Sequence, residues 1–152
     1  MSYAVYFGAA GWNHPGWLET FYPEDMPEDW RLAFYNTQFR CNYLERAAWA
    51  GLAPEIWAQW AQETQESFCF VLESSASAEI DAAAAEAFGG RAVIVDSAQD
   101  ARLLWFDAAS DLRTLAAQVR ERVAGGTVYL ISRDADLPRM EQVRTAIELM
   151  GL

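Results

Sequence analysis

The chain has 152 residues, the size of one domain with one core, enough to bury roughly two-thirds of the surface that an unfolded chain exposes. Hydrophobic residues make up 53% and aromatic residues 14%, which excludes a disordered or fibrous polymer. The formal charge is −11, from 22 acidic residues against 11 basic ones, and every basic residue is an Arg, scattered from Arg31 to Arg144 without a basic stripe, so nucleic acid and other polyanions are excluded as partners.

Ala4 to Ala10 (AVYFGAA) is a short apolar run ending in small residues, which predicts a buried strand with close backbone approach at its end. It feeds Gly11 to Trp17 (GWNHPGW), a loop that holds two Trp and His14, the only histidine. A first helix follows from Pro27, with Glu28 and Asp29 at its positive end and Trp30, Ala33, Phe34 and Thr37 on one face.

Residues 39–46 (FRCNYLER) alternate with a period of two and predict a second strand. Pro54 opens a helix that presents Ile56, Trp57, Trp60, Ala61 and Thr64, and residues 67–73 (SFCFVLE) form a third strand. Ser77 caps an alanine-rich helix stopped by Gly89-Gly90, and residues 92–96 (AVIVD) are a fourth strand.

The stretch 97–110 is ambiguous and reads best as a short helix carrying Leu103, Leu104 and Phe106. Ser110 is the expected cap of a helix with Leu112, Leu115, Ala116, Val119 and Val123 on a stripe, ended by Gly125-Gly126. Residues 127–132 (TVYLIS) are a fifth strand, and Pro138 begins a last helix with Met140, Val143, Ile147 and Met150. Near-continuous apolar strands alternating with helices belong in a parallel sheet covered by helices.

Cys41 and Cys69 lie in apolar runs without a second ligand nearby, which predicts buried free thiols in a reducing compartment. The first ten residues lack a basic leader region and no apolar run approaches the length of a membrane span, so the expected location is cytoplasmic, without a membrane partner. A GxGxxG, a Walker loop and a GxSxG elbow are all absent, leaving nucleotide-phosphate cradling and serine hydrolase chemistry without support.

Gly8-Ala-Ala-Gly11-Trp12, Pro15-Gly16-Trp17, Phe21-Tyr22-Pro23-Glu24, Trp30, Phe34-Tyr35 and Phe39 together resemble the opening pattern of the YecE-like family of domains of unknown function. The match continues more loosely through Trp57 to Trp60 and Ser67 to Phe70, and Gly126 to Ile131 with the helix after it is similar to the family's close. The resemblance implies a TIM-barrel-like fold. This chain is roughly a hundred residues shorter than the ~250 typical of a closed barrel, so the expectation is one domain over 1–152 with its middle strands missing.

First and last strands are neighbours in a closed barrel, which predicts a partial barrel: an open parallel sheet of about five strands in the order 4-5-1-2-3, with right-handed crossovers. Two open edges and an uncovered inner face predict a homodimer.

Barrel sites lie at the C-terminal ends of strands, which makes Trp12, His14, Trp17, Tyr43, Glu45, Glu73, Asp96 and Arg133 the candidate ligand-binding residues. The family pattern places Glu and Asn at the positions of Tyr43 and Glu45, Lys near Glu73, His at Asp96, and an Asn pair at Ser132 and Arg133. All are replaced here, so the resemblance implies a diverged or inactive relative: a non-catalytic dimeric module binding a small molecule or a protein, without a cofactor.

The alternative is a divalent-metal-dependent hydrolase in which Glu45, Glu73 and Asp96 converge on Mg²⁺ or Ca²⁺ beneath His14. Against it, Arg46 and Arg133 stand ready to neutralise these carboxylates, and no HxH, HExxH or DxD spacing includes any of the three. Trp12 and Trp17 could stack a sugar or a base, but the expectation is that they plug the mouth of the sheet as a structural lid bordering the site, because large aromatics gain from burial.

Overall fold

A computed structural model describes residues 4–152. Its sheet contains β1 (Val5–Ala10), β2 (Cys41–Leu44), β3 (Cys69–Glu73), β4 (Ala92–Val95), β5 (Leu103–Phe106) and β6 (Val128–Ser132), all pairs parallel, in the order β4-β3-β2-β1-β6-β5. The helices are α1 (Arg31–Gln38), α2 (Arg46–Trp49), α3 (Pro54–Gln62), α4 (Ala78–Ala87), α5 (Leu112–Val123) and α6 (Leu137–Leu149).

Each strand is apolar on both faces, and the alternation sorts its residues. Phe7, Leu44, Phe70, Leu72, Leu104 and Leu130 pack against helix residues such as Leu32, Leu115 and Met140 in the main core. Their neighbours Cys41, Tyr43, Val71, Leu103 and Ile131 form a second cluster on the opposite face. Both cysteines are free and buried, and burial pushes the Cys69 thiol up to about 12, so neither is a thiolate at neutral pH.

The sheet curls around that second cluster. Tyr43 in β2 and Trp105 in β5 are three strand spacings apart, ~14 Å across a flat sheet, yet their ring centroids are 4.9 Å apart. The fold is an open half-barrel with helices on its convex side.

The expected adjacency of first and last strands is present, from Val5 opposite Val128 to Ala9 opposite Ser132. The rest of the predicted order needs correction. Residues 92–95 pair with β3, Phe70 opposite Ala92, and the place beside β6 belongs to β5, Leu103 opposite Tyr129. The segment expected as a short helix is therefore a strand, and the sheet has six strands in the order 5-6-1-2-3-4. A four-residue apolar run is degenerate between the two readings; here Leu104 and Phe106 face the helices while Leu103 and Trp105 join the concave cluster, a period of two.

Other differences are local. Asp111, not Ser110, caps α5 by accepting from the Thr114 amide at 2.9 Å. Asp136 caps α6 one residue before its start at Leu137, and the polar end of the second predicted strand turns into α2. Ser77 caps α4 as expected, accepting from the Ile80 amide.

β4 and β5 follow one another in the chain but form opposite edges of the sheet, so residues 96–102 must return along the open side. Seven residues reach at most ~25 Å, enough for this return but not for a crossover helix. This strap is tied to both edges: Trp105 Nε1 donates to Ala98 O at 2.7 Å, and Arg102 Nη2 donates to Ile94 O at 3.4 Å. On the far side of β5, Arg122 Nη1 donates to Ala101 O and Leu103 O. Carbonyls on both edges thus have arginine partners, a device that blunts strand addition. Among the described residues no helix is long and apolar enough to cross a membrane.

Candidate functional site

The open side of the half-barrel holds a cavity of about 880 Å³, within the range of small-molecule sites. β2 and β3 supply one wall through Tyr43, Glu45 and Glu73, β5 and the loop after β6 supply Trp105 and Arg133, and the strap supplies Ala98 to Ala101.

Glu73 ends β3 and is fixed at three points. Trp49 Nε1 donates to its carbonyl at 2.9 Å, the Arg46 amide donates to Oε1 at 3.0 Å, and the Tyr43 hydroxyl donates to Oε2 at 3.3 Å. Arg46 turns its side chain away, with Nε donating to Ser74 O at 2.7 Å. Burial, then the negative charge and hydrogen bond of Glu73, then Glu45, push the Tyr43 phenol up to about 12. Tyr43 is therefore a neutral donor at physiological pH.

Trp105 stands edge-to-face to Tyr43 at an interplanar angle of 78°, its indole oriented by the bond to Ala98. The Arg133 guanidinium lies over the Trp105 ring, 5.6 Å from its centroid, while the Arg133 amide donates to Phe106 O at 2.7 Å. Glu45 lies in the chain between β2 and α2 and is exposed.

Tyr43, Glu45, Glu73 and Arg133 thus line one cavity, and the other four candidates lie elsewhere. Asp96 opens the strap, exposed, and its charge acts on Arg102. His14 and Trp17 border a separate hollow of about 630 Å³ with Asp134 and Asp136. His14 Nε2 is 3.2 Å from Gly11 O and its ring lies 4.5 Å from that of Trp17. Trp17 is buried and donates through Nε1 to Ala135 O at 2.9 Å, which ties the opening loop to the loop after β6. Trp12 is buried edge-to-face against Trp60, with centroids 4.9 Å apart.

Among the described residues no three His, Cys, Asp or Glu side chains gather in a way that could hold a metal ion. Glu73 is engaged by Tyr43 and Arg46 instead.

Two residues, one lining the site and one holding its entrance, were not legible from the sequence. Trp105 was hidden in a segment expected to be helical; its alternation with Leu104 and Phe106 was the available signal. Asn42 is fully buried and clamps the loop entrance, with Nδ2 donating to Gly11 O at 2.7 Å and Oδ1 accepting from the Gly11 amide at 3.0 Å. A buried Asn inside an apolar strand requires such partners.

Residues 6–78 match the family model described as Protein of unknown function DUF72. Over that stretch the chain is similar to the family, and the match covers just under half of its length. Comparison with curated proteins and with solved structures gives no match. The matched segment runs from β1 to the start of α4 and carries Tyr43, Glu45 and Glu73, one wall of the cavity. Trp105 and Arg133, on the facing wall, lie outside it.

Proposed function

We propose that this chain is a non-catalytic binding module that takes a small molecule into the cavity between β2, β3 and β5. The carrying observation is the Tyr43–Trp105 contact, which shows the sheet curled far enough to give an open set of strands a concave, aromatic-walled interior. An apolar body with a few convergent polar groups is the usual constitution of a ligand site, and Tyr43, Glu73 and Arg133 supply the polar groups.

The absence of catalysis is part of the proposal. Ser, Thr, Cys, Lys and His do not occur among the lining residues, the Tyr43 phenol is held protonated by burial and by Glu73, the Glu73 carboxylate is taken up by Tyr43 and the Arg46 amide, and His14 borders the other hollow.

A homodimer is proposed with it on a narrower basis, the two sheet edges that lack a neighbouring strand. With Arg102 and Arg122 already on edge carbonyls, the contact would be made by side chains rather than by a continuous ladder.

A fragment screen by nuclear magnetic resonance on nitrogen-labelled protein tests the cavity, reading the Trp105 indole N–H assigned through Trp105→Phe. Fragments that move this signal and lose affinity in Trp105→Leu are expected. A screen in which no fragment moves it overturns the proposal. Light scattering tests the dimer separately: the mass of a single chain at every concentration refutes it and leaves the cavity reading intact.

A further inference from the structure

The cavity already holds a cation of the chain's own. We propose that its ligand class is organic cations, ammonium or guanidinium compounds that take the place of Arg133 on the face of Trp105, beside Tyr43 and within reach of the Glu73 and Glu45 carboxylates. This rests on the cavity being a binding site and names what it selects.

Three independent features converge on positive charge. The first is Arg133 itself, whose guanidinium sits 5.6 Å above the Trp105 ring, within the distance at which an indole quadrupole attracts a cation. Arg133 is exposed and anchored through its backbone to Phe106, so its side chain can swing off without disturbing the sheet. The second is the arrangement of two aromatic rings at 78° with a carboxylate at one side, since Glu73 Oε2 is 3.3 Å from the Tyr43 hydroxyl. Two rings at a wide angle and a nearby carboxylate form the wall of a cage for a methylated or alkylated ammonium.

The third is the local and global potential. Glu73 Oε2 lies 3.3 Å from the Tyr43 hydroxyl, and after burial the charges of Glu73 and then Glu45 oppose ionisation of that phenol, which places negative charge at that corner of the cavity. Arg122, the other guanidinium of the lining, is turned onto Ala101 O and Leu103 O, and Asp100 is paired with Arg102 at 2.9 Å. Of the charged lining residues left, Glu45 and Glu73 share the cavity with the exposed guanidinium of Arg133, and a net charge of −11 steers cations toward the whole molecule. An anionic ligand would meet repulsion from both carboxylates, and a neutral one would gain nothing from the rings beyond its apolar contact.

A charge series of nearly constant shape tests this: choline, its neutral carbon analogue tert-butylethanol, and the tert-butylacetate anion, each titrated by calorimetry and against the Trp105 indole N–H. The expected result is that choline binds at least about ten-fold tighter than either analogue. The choline preference is expected to fall about ten-fold in Trp105→Leu and to weaken in Glu73→Gln. Choline affinity is expected to rise in Arg133→Ala, which vacates the ring. Trp105→Phe, which keeps a ring in the same place, checks that a loss in Trp105→Leu is not a loss of folding.

Equal or tighter binding of tert-butylethanol or tert-butylacetate at Trp105 overturns the cation assignment while leaving a binding cavity in place. Silence of the Trp105 signal toward all three probes, and toward a neutral fragment set, overturns both.

Discussion

Gly8 and the Tyr35 hydroxyl share one gap between β1 and β2. The phenol accepts from the Ala9 amide at 2.8 Å and donates to the Cys41 carbonyl at 2.6 Å, a side chain serving as a rung between two parallel strands. A Cβ at Gly8 would lie 2.5 Å from that hydroxyl and 1.9 Å from the Cys41 carbonyl oxygen, so no other residue fits. Through this rung α1 is locked to the strand that carries Tyr43, and the aromatic wall of the cavity is held from behind.

Tyr35→Phe leaves the buried Ala9 amide and Cys41 carbonyl without their partner and is expected to cost ~1–3 kcal/mol of stability in urea unfolding. Gly8→Ala must push β1 and β2 apart and is expected to cost more. Equal stability of Tyr35→Phe and the parent would show that the rung is dispensable.

The Tyr43 phenol, pushed up to about 12 by burial and by Glu73, gives a sign to the alkaline stability. Its folded value lies above its ordinary unfolded value of ~10. The stabilisation is therefore complete below pH ~10 and is lost as pH rises through about 12, because the unfolded chain releases the proton first. Tyr22, Tyr35 and Tyr129 shift in the same direction, each chiefly through burial. Phenolate absorbance is expected to rise together with loss of the fold rather than before it, and Tyr43→Phe is expected to flatten the stability curve in that window. Titration of Tyr43 at its ordinary value in the intact protein would contradict the placement of Glu73.

How much of this was readable beforehand depended on whether a residue's neighbours were local. The strand-helix alternation and the pairing of β1 with β6 were legible, because long apolar runs and turn glycines carry them. β5 was not, since Leu103 to Phe106 is too short for its period to outvote the flanking polar residues. Its misreading displaced the fourth strand to the wrong edge and hid Trp105. Tyr43, Glu45, Glu73 and Arg133 were found by a rule about strand ends, and they do share one cavity; the same rule put Asp96, His14, Trp12 and Trp17 with them, and only the path of the strap and the burial of two indoles separate these. Asn42 and Tyr35 could not be assigned roles from sequence, because their partners lie on segments brought together only by the fold.

The strap depends on a charged pair. Arg102 holds the Asp100 carboxyl down at about 2, by side-chain and backbone hydrogen bonds before simple attraction. A depressed carboxylate contributes stability above its ordinary value of ~3.9, and this contribution is lost as pH falls through about 2. Hydrogen exchange of amides 97–102 is expected to quicken in Asp100→Asn at neutral pH while β2 and β3 stay protected. Uniform exchange across strap and sheet in that variant would mean that the strap is not a separate unit.

Arg122 offers the sharpest test of how an open barrel stays discrete. Parallel pairing turns alternate carbonyls of β5 toward β6, as the bonds from the Tyr129 amide to Arg102 O and from the Arg133 amide to Phe106 O show, so Ala101 O and Leu103 O point to the free edge. Arg122 occupies both, at 3.2 and 2.6 Å. Arg122→Ala bares two acceptors and removes a charge from an edge, the two conditions that favour strand addition. Light scattering is expected to show higher-order association in Arg122→Ala beyond the proposed dimer, while Arg120→Ala, two residues away and about 200° around α5, behaves as the parent does. If Arg122→Ala associates no more than the parent, the edge is protected by something other than this guanidinium, and the strap, which packs against the same strand through Ala98 and Trp105, is the element to remove next.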